Sequence, residues 1–326
     1  MISAFRSCPQ KFYLEFVLGL RPARVSVDLH AGGVFADTLE FVYEKLHGEG
    51  MPLHEVMPKA YGHFLTKWGD FEPIKDTPKT KDRVWEAVES YIATYSPATD
   101  HIQPYKMAGH SGYEFSFGIP LVPAEAPAQV YTGEDRLSTR TDYDPRGYSD
   151  IDTSAGVFPM HPSGQPFLYV GRFDMLGTWS GKLVVRDEKT TTSIGASWAD
   201  QWDLRSQFIG YVWACQQSGL DLDTVVARGV GILKTKISHA EAIKQYPKFL
   251  VERWHEQLRR DLWRIVRMWD EDYFDYNLAD ACNSYGGCAF RTVCTSPVPE
   301  RWYDQYVVRH WNPLQKNPIA TPGEAA

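Results

Sequence analysis

Residues 171–190 read GRFDMLGTWSGKLVVRDEKT, in which two strand-like segments flank the dipeptide Ser180-Gly181. Glycine tolerates the positive φ angles of tight two-residue turns, so the stretch predicts a β-hairpin that turns at this dipeptide. With the turn centred there, Asp174 lies directly opposite Asp187, and their Cβ atoms are about 5 Å apart on one face of the hairpin. The sequence therefore predicts two facing carboxylates on neighbouring strands.

A lysine shares the face of these two carboxylates. Lys189 follows Asp187 by two residues, and side chains alternate along a strand, so both point to the same side. Converging carboxylate oxygens are typical of Mg2+ or Mn2+ sites, and a neighbouring lysine can hold a water nucleophile or offset charge on a phosphoryl transition state. From the spacing alone, a surface hairpin with a salt bridge is an equally good interpretation.

The two hairpin strands resemble the core motifs of a nuclease family. Residues 171–174 (GRFD) and 187–190 (DEKT) are similar to the two core motifs of the PD-(D/E)XK nucleases, specifically of the RecB-like branch. The resemblance implies an α/β fold, a mixed sheet that carries the hairpin and has helices on both faces. It also implies that Asp174 and Asp187 are metal ligands, that the backbone carbonyl of Glu188 helps to coordinate, and that Lys189 is catalytic.

The helix predicted over about 203–218 extends the resemblance. Gln207 and Tyr211 match the Gln-x-x-x-Tyr motif of the RecB-like branch, and their spacing of four places them on one helix face. By analogy with that branch, both residues face the bound strand. The apolar residues beside them are also typical of an ordinary amphipathic helix.

The chain departs from the RecB-like pattern at one expected metal ligand. Many members carry a histidine on an early helix, and the stretch GGVFADTLE (32–40) places Ala36 at that position. Glu40 lies one helical turn further on and is the candidate replacement, although a solvated helix carboxylate is an equally good interpretation. His30 is a weaker candidate.

Four of the five cysteines form a second pattern. Cys282, Cys288 and Cys294 are evenly spaced in CNSYGGCAFRTVC, and Cys8 lies near the N-terminus in SCPQKFY. An odd count without a secretion signal indicates reduced thiols rather than disulfides. The pattern resembles the cysteines that bind a 4Fe-4S cluster in AddB-like nucleases and in a CRISPR adaptation family, which implies an iron-sulfur clip that joins the two ends of the chain. A four-thiolate zinc site is the alternative. Cys215 falls on an apolar helix stripe and is predicted to be a small core residue.

The remaining sequence predicts both helices and strands. Helices are predicted over residues 3–18, 33–46, 81–95, 203–218 and 249–269, and strands over 112–121, 167–176, 182–190 and 225–233. Residues 121–162 are rich in Pro, Gly, Asp, Ser and Thr without a period, which indicates an insertion. We therefore expect one nuclease domain over 1–310, with Cys8 and 282–294 as its cluster-binding clip, and a flexible tail over 311–326.

The composition and net charge of the chain restrict the kinds of partner that it can bind. The chain has 326 residues, of which 43% are hydrophobic, so it can bury a large core. Its formal charge of −7 means that nucleic-acid binding needs a local basic patch. Arg253, Arg260, Arg264 and Arg267 recur at helical spacing and offer such a stripe, although an ordinary solvated face is at least as good an interpretation. No signal peptide, membrane segment or ATP-binding phosphate loop is recognised in the sequence, so we expect a cytoplasmic protein without ATPase activity.

These features together predict a Mg2+- or Mn2+-dependent deoxyribonuclease. The resemblance implies an exonuclease that acts on DNA ends or single strands in phage or prophage recombination, beside a recombination partner protein. A CRISPR-adaptation-type nuclease that trims DNA is one alternative. An inactive nuclease fold that serves as a DNA-binding scaffold is another, because the usual histidine is missing at Ala36.

Overall fold

The computed structural model describes residues 1–23, 25–73, 77–107, 110–121, 158–159, 161, 165–278, 280–283 and 287–310. Most of the predicted insertion (121–162) and the whole predicted tail (311–326) lie outside these residues. The chain divides into two compact units. The sheet unit comprises Val25–Phe117 and Val170–Val251, and the terminal unit comprises Met1–Arg24, Gly118–Tyr169 and Glu252–Asn312, each through its described residues.

Helices predominate in the first third of the chain, and most strands follow them. The helices are α1 (Ile2–Ser7), α2 (Pro9–Phe12), α3 (Val27–Tyr43), α4 (Leu53–Trp68), α5 (Lys81–Thr94), α6 (Ser206–Gln217), α7 (Lys248–Asp270) and α8 (Arg291–Cys294). The strands are β1 (Leu20–Pro22), β2 (Ile102–Pro104), β3 (Lys106–Met107), β4 (His110–Ser111), β5 (Tyr113–Pro120), β6 (Leu168–Trp179), β7 (Lys182–Thr191), β8 (Thr224–Ile232), β9 (Ile237–Gln245) and β10 (Tyr306–Val308).

Six of the described strands form one mixed sheet. Its order is β2-β6-β7-β8-β9, and β5 also pairs with β6. The pairs β6–β7 and β8–β9 are antiparallel, whereas β7–β8 is parallel. The predicted mixed sheet is therefore confirmed.

The predicted hairpin forms with the expected register. Ser180 and Gly181 have φ angles of 50° and 79°, as a two-residue turn of this kind requires. The paired residues run from Trp179 opposite Lys182 to Met175 opposite Arg186. This register places Asp174 and Asp187 one residue beyond the last pair, at the end of the hairpin where the two strands stop pairing.

Helices cover both faces of the central strand. Nearly all of β8 is buried, as is usual for a strand inside a parallel pair. On one face, α3, α4 and α5 pack around Val226, Val230 and Ile232. On the other face lie α6 and the turn that carries Trp198, whose ring is so close that a Cβ on Gly229 would lie 2.4 Å from it. Close packing on both faces gives the sheet a rigid centre next to the hairpin.

Two helices of the sheet unit differ from the expectation. Helix α3 begins at Val27 rather than near Gly33, because the Ser26 side chain caps it by accepting a hydrogen bond from the Leu29 N–H (3.3 Å). Helix α4 was not predicted at all. It buries residues at every fourth position, namely Val56, Ala60, Phe64 and Trp68.

The terminal unit brings the two ends of the chain together. Strands β1 and β10 pair antiparallel, with Leu20 opposite Val308. The single helix expected over residues 3–18 is interrupted at Cys8, whose backbone is extended (φ −163°). The interruption has a local cause, since the residue before a proline avoids the helical conformation and Pro9 follows. Among the described residues, no helix combines the length and apolar character needed to cross a membrane.

Candidate active site

The hairpin holds Asp187 in a buried position and Asp174 in a half-buried one. Asp187 on β7 is fully buried, and its side chain forms an ion pair with Lys189 on the same strand. Asp174 on β6 accepts a hydrogen bond through Oδ2 from the backbone N–H of Glu188 at 2.8 Å. The structure therefore brings together Asp174, Asp187 and Lys189, as the sequence predicts.

Burial and mutual repulsion act on both carboxylates. Burial, followed by the charge of Asp187, raises the pKa of Asp174 well above its usual range. Burial also raises the pKa of Asp187, and the adjacent Lys189 opposes that increase. Burial disfavours the charge on Lys189, but Asp187 and Asp174 outweigh it and raise the pKa of the lysine. Lys189 is therefore a stable cation at neutral pH, suited to electrostatic stabilisation rather than to acting as a base.

This set of donors fits a divalent cation. Two neighbouring carboxylates that repel each other are stabilised by a positive charge between them. Within the described residues, no group of three or more His, Cys, Asp or Glu side chains is arranged to hold a metal ion. Mg2+ commonly binds through one or two carboxylates and keeps several waters, so Asp174 and Asp187 are a sufficient side-chain set.

Helix α6 places Gln207 and Tyr211 beside the aspartates. The Gln207 side-chain amide lies 3.5 Å from Asp187 Oδ2 and donates to the Tyr211 hydroxyl at 2.7 Å. The Tyr211 hydroxyl in turn donates to the carbonyl of Arg172 at 2.7 Å. Tyr211 thereby fixes the backbone two residues before Asp174, and Gln207 is the member of the motif nearest to the carboxylates.

A cleft of about 270 Å3, part of it open to solvent, lies next to Asp174. Its lining includes Ala36, Glu40, Glu114, Asp174 and Glu188. Helix α3 thus presents both the residue that stands at the expected histidine position and its candidate replacement to one cleft. This placement supports Glu40 as the residue to test for a third metal contact.

His30 belongs to a different environment. Its ring stacks on Phe71 with centroids 3.8 Å apart and meets Trp68 edge to face. Burial lowers its pKa, which favours the neutral ring. His30 is not among the residues that line the cleft.

Glu114 is a site residue that the sequence analysis missed. It lies on β5, is only 6% exposed, and pairs with Arg172 (Oε2 to Nε, 2.6 Å). Its φ of 51° is uncommon for a residue other than glycine. Its charge also contributes to the raised pKa of Asp174, after burial and the nearer charged groups. The available signal was a lone glutamate inside the aromatic strand GYEFSFGI.

A buried charge network supports the strand that carries Glu188. The Glu188 side chain accepts a hydrogen bond from the Tyr91 hydroxyl at 2.6 Å and pairs with Arg186 at 2.5 Å. Asp100 binds Arg228 through both carboxylate oxygens, each at 2.6 Å, and also pairs with Arg186 at 3.3 Å. Paired charges of this kind are stable in a core only while every partner is present. The network therefore fixes Glu188, whose N–H holds Asp174.

The four predicted cluster cysteines lie near one another in the terminal unit. Burial and the neighbouring Cys288, Cys8 and Cys282 raise the pKa of Cys294 to about 11. The N–H of Cys288 donates to the carbonyl of Cys282 at 2.9 Å. The raised pKa of Cys294 disfavours the thiolate form that iron and zinc bind. The absence of a metal-holding group of three or more His, Cys, Asp or Glu side chains among the described residues applies to these cysteines too.

The fifth cysteine has a separate role. All five cysteines are free thiols. Cys215 is 1% exposed on α6, and burial raises its pKa above the usual range. The prediction that Cys215 is a core residue is confirmed.

The predicted arginine stripe on α7 is largely occupied by ion pairs. Arg260 pairs with Glu256 at 2.8 Å, Arg264 lies 3.7 Å from Asp261, and Arg267 pairs with Glu271 at 3.0 Å. These pairs favour the interpretation of this face as an ordinary solvated one.

Known protein families and curated proteins offer an independent comparison for this chain. A family model described as the PD-(D/E)XK nuclease superfamily matches residues 1–295. The matched range contains the hairpin, the Gln207–Tyr211 motif and all four cluster cysteines. No curated protein matches the sequence.

Proposed function

Since the chain belongs to the PD-(D/E)XK nuclease superfamily, we propose that it is a Mg2+- or Mn2+-dependent deoxyribonuclease whose site is Asp174, Asp187 and Lys189. One observation carries this proposal. The two aspartates and the lysine meet at the end of one hairpin; burial raises the pKa values of the aspartates, and the charges of the aspartates raise the pKa of the lysine. Such perturbed groups are typical of active sites rather than of surface ion pairs.

Each residue of the site has a role that follows from its contacts. Asp174 and Asp187, with the backbone carbonyl of Glu188, would hold the cation. When bound, the cation supplies positive charge that stabilises phosphoryl oxygens during hydrolysis. Lys189 keeps its proton and offsets negative charge on the transition state or orients the attacking water. Gln207 orients Asp187 through its side-chain amide.

Further residues support this core. Tyr211 holds the backbone of β6 near Asp174. We assign Glu40 as the third metal contact, because it lines the cleft beside Asp174 and follows Ala36 by one helical turn. A carboxylate in place of imidazole makes the ligand set all-oxygen, which favours Mg2+ and Mn2+ over softer ions.

The finer assignment is an exonuclease that acts on DNA ends or single strands in phage or prophage recombination, with a recombination partner. It rests on the resemblance of the motifs to the RecB-like branch. The substitution at Ala36 favours a second candidate, an inactive nuclease fold that binds DNA as a scaffold. A CRISPR-adaptation-type trimming nuclease is the alternative within the enzyme class, since that family shares the cysteine pattern.

We also propose a 4Fe-4S cluster held by Cys8, Cys282, Cys288 and Cys294. The proposal is supported by the proximity of these thiols and by their position where the chain ends meet. The cluster would act as a structural clip, because a link between distant segments restricts the unfolded chain. Zinc bound by the same four thiolates is the alternative.

Cleavage assays on two forms of DNA test the enzymatic proposal. Purified protein with Mn2+ is incubated with end-labelled linear DNA and with covalently closed circles. An exonuclease degrades the linear DNA and leaves the circles intact, whereas nicking of the circles indicates an endonuclease. Binding without cleavage of either form would overturn the enzymatic proposal and favour the scaffold.

A further inference from the structure

Arg205 differs from the other arginines of the sheet unit. Within the described part of that unit, the others each pair with a carboxylate, Arg83 with Glu86, Arg172 with Glu114, Arg186 with Glu188, and Arg228 with Asp100. Arg205 is exposed and has no ion-pair partner among the described residues. The nearby Asp203 is engaged by Lys244 instead. An unpaired guanidinium is therefore available to an anion.

The backbone at Arg205 is well fixed. Arg205 is the N-cap residue of α6, and its carbonyl accepts hydrogen bonds from the N–H groups of Phe208 (2.9 Å) and Ile209 (3.1 Å). Gln207, two residues further along, reaches Asp187 with its side chain. The helix that serves the candidate active site thus also determines where Arg205 stands.

An aromatic pair links Arg205 to the catalytic lysine. The Arg205 guanidinium lies 5.9 Å from the centre of the Trp202 ring, within the range of a cation–π contact. Trp202 stacks on Phe208 with centroids 5.3 Å apart, and the Lys189 ammonium lies 5.9 Å from the centre of Phe208. The charged groups of Arg205 and Lys189 therefore lie over the same stacked pair of rings, Trp202 and Phe208.

We propose that Arg205 binds a backbone phosphate of the substrate strand next to the scissile phosphate. Guanidinium groups bind phosphate through two parallel hydrogen bonds, and in a chain with a net charge of −7 a local cation is needed to hold a nucleic acid beside carboxylates. Phosphate contacts carry no sequence information, so Arg205 positions the strand without selecting bases. This inference rests on the proposed nuclease function.

Steady-state kinetics on a single-stranded oligonucleotide test the inference. For Arg205→Gln we expect KM to rise about tenfold while kcat stays within about twofold, since the contact is made equally in the ground and transition states. The slope of log(kcat/KM) against log salt should become less steep by about 0.7, the value for one phosphate contact on a single strand. Arg205→Lys should restore the slope but only part of the affinity, because lysine lacks the bidentate geometry.

A chemical change in the substrate identifies the phosphate. Neutral methylphosphonate linkages are introduced singly along the oligonucleotide. At one linkage beside the cleavage position, neutralisation should raise the KM of the wild type. It should not raise the KM of Arg205→Gln any further, because the two changes remove the same contact. Arg301→Gln, at an exposed arginine of the terminal unit, is the matched control and should behave as wild type at every linkage.

The outcomes separate the two proposals. The melting temperature of Arg205→Gln shows whether the variant is folded. If the wild type cleaves DNA and the folded variant keeps the wild-type KM and salt slope, the proposed Arg205 contact is wrong and the nuclease proposal stands. A wild type that neither binds nor cleaves the oligonucleotide would overturn both.

Discussion

The backbone N–H of Glu188 donates a hydrogen bond to Asp174 Oδ2 at 2.8 Å, so the second hairpin strand holds the carboxylate of the first. The Glu188 side chain is fixed on its other side by Arg186 and Tyr91. The position of Asp174 therefore depends on the buried charge network as well as on its own strand. Preorganisation of this kind reduces the reorganisation needed when charge develops at the site.

The first prediction concerns Glu40, the proposed replacement for the histidine ligand. Glu40→Ala should raise the Mn2+ concentration needed for half-maximal cleavage about tenfold, because one carboxylate contact to the cation is lost. Metal titrations of the cleavage rate measure this shift. Glu44→Ala, one turn further along the chain and exposed, is the matched control and should leave the titration unchanged.

A reverse substitution sharpens this test. Ala36→His in the Glu40→Ala background should recover activity, most clearly with Mn2+, because it restores the ligand type of the RecB-like branch. An unchanged rate and metal dependence in Glu40→Ala would place the third ligand elsewhere.

The second prediction concerns pH and follows from the raised pKa of Asp174. A carboxyl whose pKa is higher in the folded state binds its proton more tightly when folded, so it stabilises the fold at low pH and loses that contribution as pH rises above the ordinary aspartate value. In EDTA at neutral pH, Asp174→Asn should therefore be more stable than wild type, because the neutral amide removes a carboxylate whose charge the folded state disfavours. Its melting temperature should also depend less on pH above the ordinary aspartate pKa, which is the side to which the shift extends.

Thermal melts with and without metal complete this test. Mg2+ should stabilise the wild type but not Asp174→Asn, because binding to the folded state alone raises stability. If Asp174→Asn melts below wild type in EDTA at neutral pH, the carboxylates do not carry the repulsion inferred from their burial.

The third prediction concerns the cysteines. Protein purified without oxygen should be brown, with a broad absorbance in the visible, because iron–thiolate bonds give charge-transfer bands and zinc gives none. Cys8→Ala should lose the colour and destabilise the fold as much as Cys288→Ala, since each leaves the centre one ligand short. Cys215→Ala is the control and should keep the colour. If an anaerobic preparation contains stoichiometric zinc and no iron, the cluster hypothesis is wrong and the four thiolates bind zinc.

The sequence predicted the hairpin and its register because the information is local. The turn dipeptide sets the pairing, and the alternation of side chains then puts Asp187 and Lys189 on one face. Helix α4 was missed because Pro58 and Gly62, two residues that usually interrupt helices, lie inside it. Its buried face forms only against the rest of the core, so packing outweighs the local preference.

Glu114 and Arg205 could not be assigned from the sequence for a different reason. The importance of Glu114 depends on the pairing of β5 with β6 and on its contact with Arg172, which are distant in the chain. The importance of Arg205 depends on whether the other arginines of the sheet unit pair with carboxylates. Both are properties of the folded chain as a whole, and no spacing rule expresses them.

The central claim is that Asp174, Asp187 and Lys189 hydrolyse DNA, and single-turnover cleavage by Asp187→Asn and Lys189→Ala tests it most directly. Each variant should lose cleavage by about 100-fold or more while its folding and DNA affinity stay close to wild type, because groups that stabilise the transition state affect turnover more than binding. Cleavage at the wild-type rate by either variant would contradict the assignment.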